Sequence, residues 1–88
     1  MGRKEKLLDQ IKKNPKDRDF RELKTLLERY GFIVDESSGK GSHCPVYHSK
    51  YKDDESLRWT LSKRKPMKVY HAKEAVRLVE EVISREEN

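Results

Sequence analysis

Apolar residues along the chain fall into short periodic groups separated by polar stretches, and their spacing predicts most of the elements. Leu7, Leu8 and Ile11 make a narrow stripe that suits a short helix over residues 3–13. Asn14-Pro15 ends it, because the residue before a proline avoids the helical region. A second helix follows, in which Phe20, Leu23, Leu26, Leu27 and Tyr30 recur at helical spacing. Asp19 with Glu22 three residues later reads as a capping box at its start, and Gly31 is placed to end it in a left-handed conformation.

Extended segments come next. Phe32 to Glu36 alternates weakly, the small residues Ser37-Ser38-Gly39-Lys40-Gly41-Ser42 predict a turn, and His43 to His48 reads as a second strand. Beyond a polar loop at Lys52-Asp53-Asp54-Glu55, Leu57, Trp59 and Leu61 alternate with Arg58, Thr60 and Ser62. This is the clearest period of two in the chain and predicts a strand with one buried face, Trp59 packing on the core side. A basic segment, Lys63-Arg64-Lys65-Pro66-Met67-Lys68, precedes the last apolar group. There Val69, Ala72, Val76, Val79 and Ile83, flanked by Ala75, Leu78 and Val82, predict a helix with a wide buried face.

The expected fold is therefore α+β, in one domain over residues 1–88: an α-β-β-β-α core with a three-stranded antiparallel sheet, two main helices on one face, and an accessory helix in front. Eighty-eight residues leave no room for a second core. The opposite face of the sheet is left open.

Charge sharpens this picture without deciding it. Twenty-one Lys and Arg against 16 Asp and Glu give a net charge of +5. Such an excess draws polyanions, so a nucleic acid, an acidic protein or an anionic membrane surface are all compatible partners. Cys44 is the only cysteine, which rules out an internal disulfide and suits a reducing compartment. No apolar run is long enough to span a bilayer or to serve as a signal peptide, so a soluble, cytoplasmic protein is expected.

If Cys44 and Val46 face the helices, strand alternation sends His43, Pro45 and Tyr47 to the open face. His43 follows the Gly39-Lys40-Gly41-Ser42 stretch, where a phosphate can approach closely and meet backbone N–H groups, a hydroxyl and a lysine. Taken alone, one strand histidine is more often a solvent-exposed or hydrogen-bonded structural residue than a catalyst, and Gly-Lys-Gly-Ser is a common turn. His43, Cys44, His48 and His71 lack the paired spacing of a zinc site, so no metal and no cofactor are expected.

The succession of the helix from Asp19 to Tyr30, Gly31-Phe32, Gly41-Ser42-His43, a second histidine at His48, a strand, a basic loop and a Val-rich last helix resembles the HicA toxins over about residues 18 to 84. The leading helix resembles that of the longer members. The resemblance implies a double-stranded-RNA-binding-like fold, metal-independent endoribonuclease activity against messenger RNA (an mRNA interferase), and a HicB-type antitoxin as the inhibiting partner. It carries over Gly41, Ser42 and His43, with His43 as the catalytic general acid or base. The chain departs from the pattern at Cys44-Pro45-Val46, which stands where aromatic or aliphatic strand residues are usual, and a proline is at odds with a central strand.

Around His43, the cations expected to meet RNA phosphate are Lys40, Lys63, Arg64 and Lys65, the last three only if folding brings their loop beside the strand. Tyr47 on the same face either stacks on an unpaired base or shields the sheet. Tyr70 and His71 suit a helix-end role as well as phosphate contact. Two other classes stay open: a non-catalytic module binding duplex RNA by shape, and a protein-interaction domain whose basic face meets an acidic partner.

Overall fold

A computed structural model describes residues 3–37, 41–64 and 67–87. Three α-helices and three strands follow the order α1 (Arg3–Lys13), α2 (Phe20–Arg29), β1 (Phe32–Val34), β2 (His43–His48), β3 (Trp59–Ser62) and α3 (Val69–Glu86). The expected α+β arrangement holds, with helices packed against an antiparallel sheet of order β1-β2-β3. No described helix is long and apolar enough to cross a membrane.

Local chemistry sets the helix ends. Asp19 accepts the N–H of Glu22 at 2.8 Å while the Glu22 carboxylate accepts the N–H of Asp19 at 3.1 Å, a reciprocal cap that satisfies two orphan donors. Arg18 ties α1 to this start, donating to the carbonyls of Asn14 (2.9 Å) and Gln10 (3.1 Å) and to the Glu22 carboxylate (2.9 Å). The apolar stripes then meet in one core: Leu8 and Ile11 of α1, Leu23, Leu26 and Leu27 of α2, and Ala72, Ala75, Val76, Leu78, Val79 and Val82 of α3 are buried. They cover Phe32, Val34, Cys44, Val46 and Leu61 from the sheet. At roughly 1.5–3 kcal/mol for each large apolar side chain fully buried, this core is the main favourable contribution to the fold.

Two sequence expectations need correcting. Leu57 does not belong to β3; Glu55–Leu57 forms a single 3-10 turn in which Asp54 accepts the N–H and hydroxyl of Ser56, and Leu57 is buried from there. The Asp54 cap outcompetes the alternation. Strand β1 also stops at Val34 rather than Glu36.

The second difference has its cause in Pro45, which does lie in the central strand. Register pairs Val34 with Val46 and Pro45 with Thr60. The Asp35 N–H donates to the Pro45 carbonyl at 2.9 Å, so on the β1 side Pro45 occupies a hydrogen-bonded rung and has no N–H to return. Pairing with β1 ends there. On the β3 side the Lys63 N–H donates to the Ser42 carbonyl at 2.7 Å, which makes Pro45–Thr60 a non-hydrogen-bonded pair where no donor is needed. The proline is tolerated because it falls on the last rung of one ladder and between rungs of the other.

Candidate nucleic-acid interface

Burial alternates along β2: His43 is exposed, Cys44, Val46 and His48 are buried, and Pro45 and Tyr47 are half-buried. This puts His43, Pro45 and Tyr47 on the face away from the helices, as expected. Gly41 holds φ at +64°, a left-handed value that turns the chain into β2, and among the described residues beyond its chain neighbours nothing lies within 4 Å of the position a Cβ would take. Ser42 then leads directly into His43.

Pairing with β3 decides which cations accompany that histidine. His43 stands opposite Ser62, and the Ser42–Lys63 backbone bond extends the ladder by one residue. The start of the basic segment is thus brought beside Gly41-Ser42-His43. Arg64 follows, its N–H donating to the Ser62 hydroxyl at 3.1 Å, and its side chain is exposed. Lys40 and Lys65 lie outside the described residues.

Lys63 is held differently from what its place in the sequence suggests. Its ammonium pairs with Glu36 at 3.0 Å and lies 5.7 Å from the Phe20 ring centroid, on the α2 side of the sheet. Glu36 also takes the ammonium of Lys24, and these two lysines, Lys24 the stronger, hold the Glu36 carboxyl below its ordinary range. Sequence spacing carries no sign of this cluster, because its members are distant in the chain and meet only when α2 packs beside the β1 end.

The two β2 histidines have opposite circumstances. The His48 ring is buried, with the Lys50 N–H donating to Nδ1 at 3.0 Å and Nε2 lying 2.8 Å from the Tyr30 carbonyl. Because Nδ1 accepts, Nε2 carries the proton and donates, so both nitrogens of a neutral ring are spent on the backbone. Tyr30 is the C-cap of α2, and His48 satisfies one of the carbonyls that a helix end leaves unpaired. The ring also meets Phe32 edge-on at 4.9 Å. His48 is structural, whereas His43 is presented to solvent.

Of the remaining candidates, Cys44 is 1% exposed and burial pushes its thiol up, which leaves it a poor nucleophile. His71 accepts the Lys68 N–H at 3.2 Å at the start of α3 and stacks on Tyr70 at 4.2 Å, so it serves the helix end. Trp59 is half-buried against the core. Among the described residues no three His, Cys, Asp or Glu side chains converge as a metal site.

Pairing also brings together residues that the motif did not connect. Continuing the β2–β3 register by one residue sets Tyr47 opposite Arg58, and both line an open-face groove with Asp35, Pro45, Lys52 and Thr60. Arg58 is fixed by two bonds to the Lys52 carbonyl, from Nε at 3.1 Å and from Nη2 at 2.7 Å. Compared with family models, with curated proteins and with solved structures, the chain gives no match.

Proposed function

We propose that this chain is the RNA-cleaving toxin of a toxin–antitoxin pair, of the HicA type, acting in the cytoplasm on messenger RNA and restrained by a HicB-type antitoxin. The observation that carries the reading is the exposed imidazole of His43 on the uncovered sheet face, next to Gly41-Ser42 and in register with the start of the basic segment. An imidazole offers one ring nitrogen that accepts a proton and one that donates, and so is suited to take the proton of an attacking hydroxyl or to return one to a leaving oxygen.

Charge developing on the phosphorus oxygens falls to the corner around it. Among the described residues the exposed cation that follows Ser62 there is Arg64, whereas Lys63 is held on the α2 side by Glu36 and the Phe20 ring. The sequence places Lys40 and Lys65 within the same two segments. A HicB-type partner inhibits by covering the open face.

Incubating the purified chain and His43→Ala with messenger RNA, with and without chelator, tests this. Wild-type protein cleaves in both conditions, and the variant loses about 10²–10⁴-fold in rate while keeping its fold. Absence of cleavage by the wild-type chain overturns the enzyme; salt-dependent RNA binding in its place identifies a binding module.

A further inference from the structure

We infer that the Tyr47–Arg58 pair is a platform for one unpaired RNA base, so that the chain engages single-stranded rather than duplex substrate at His43. The inference rests on the RNA reading above and adds the substrate class. Carried one residue past its last pair, Val46–Trp59, the β2–β3 register places Tyr47 across from Arg58, and both side chains line one groove. Pro45 and Thr60 line the same groove.

Three features suit a nucleobase. The Tyr47 ring is half-exposed on a face that no helix covers, and offers a π surface. The Arg58 guanidinium is pinned by its two bonds to the Lys52 carbonyl, so a planar cation is preorganised at little entropic cost, the kind of group on which bases stack. The charge is also right: Lys52 and Arg58 stand on the groove against Asp35, whose carboxylate accepts the N–H and hydroxyl of Ser37.

Position along the strand then relates the platform to the chemistry. His43 and Tyr47 share one face of β2, four residues apart, about 13 Å at the rise of a strand. A single strand laid along the face can set a phosphate at His43 and splay a neighbouring base onto Tyr47. A duplex keeps its bases stacked on one another, and cannot fill the groove without unpairing.

The test uses the cleavage-deficient His43→Ala chain and an oligoribonucleotide carrying one 2-aminopurine, offered single-stranded or annealed to its complement. Single strand binds more tightly than duplex, and binding quenches the probe. Adding Tyr47→Leu removes the quenching and weakens single-strand binding roughly 5- to 150-fold, the equivalent of one lost stacking contact, whereas Tyr47→Phe retains both. Circular dichroism of each variant checks that the sheet survives. Tighter duplex binding, or a Tyr47→Leu chain that binds and quenches like its parent, overturns the platform even if the wild-type chain cleaves RNA. Tyr47-dependent quenching by a chain that cuts nothing upholds the platform and removes the nuclease instead. Affinity for an acidic protein with none for RNA overturns both.

Discussion

The His48 ring occupies the space that a side chain on Gly31 would need. A Cβ there would lie 2.7 Å from Nε2 of His48, and Gly31 also holds φ at +92°. The end of α2, the start of β1 and the end of β2 are thus locked at one point, because the same ring bonds the Tyr30 carbonyl. Gly31→Ala is expected to destabilise the fold by roughly 2 kcal/mol or more, the left-handed backbone alone costing about 1–2 kcal/mol. His48→Ala removes the ring's bonds to the Tyr30 carbonyl and the Lys50 N–H together with its packing on Phe32, a loss of about 1–3 kcal/mol. Urea denaturation of both variants measures this, with His43→Ala as the contrasting control within about 0.5 kcal/mol of wild type.

Gly41 is required for its backbone alone. Since a Cβ there meets nothing among the described residues, the order of tolerance follows left-handed preference: Asn close to Gly, then Ala, then Val. Val costs about 1–2 kcal/mol and slows RNA cleavage by misdirecting His43, whereas Asn leaves both near the wild-type level. Denaturation midpoints and cleavage rates across the three variants check this order.

Glu36 restrains two cations, Lys24 and Lys63, on the α2 side of the sheet. Glu36→Gln releases Lys24 and Lys63 to meet phosphate, so RNA affinity rises and falls more steeply with salt. Binding isotherms at several salt concentrations report the slope. An unchanged slope would place Lys63 outside the RNA path.

Acid stability has an identifiable contributor at the far end of the sheet. The Asp54 carboxyl is drawn from its ordinary 3.8 down to about 2, first by the Ser56 hydroxyl and then by Arg85, which meets it at 2.6 Å. A carboxyl whose pKa falls on folding stabilises the native state above its unfolded value, and that contribution disappears as pH drops through the folded one. The contribution is complete above pH 3.8 and lost on the way to about 2. Asp54→Asn is accordingly less stable at neutral pH and flatter in its acid response over that window, as thermal melts at stepped pH will report.

How far the sequence foretold all this depends on the range of the interactions concerned. The Asp19–Glu22 cap, the Gly31 turn, and the wide buried face of α3 were legible because each is set within a few residues. Alternation in β2 likewise assigned His43 to the open face and Cys44 to the core. Leu57 breaks the pattern because the Asp54 carboxylate accepts the N–H and hydroxyl of Ser56 and so redirects an otherwise regular alternation. Lys63 was recognisable as a cation but not as the partner of Glu36, and Arg58 read as an ordinary polar strand residue until the register set it across from Tyr47. Such facts belong to the pairing of distant segments, which periodicity does not encode.

The position of Pro45 gives β2 unequal support. On one flank the ladder runs past His43 to Ser42 and Lys63, while on the other it stops at Asp35. Among the described residues, the backbone at the end of β2 that bears His43 is therefore hydrogen-bonded along β3 alone, a cantilever whose root is the buried Cys44. Any shift of β3 carries the imidazole and the cations that follow Ser62 together, so their spacing survives motions that change their distance from β1.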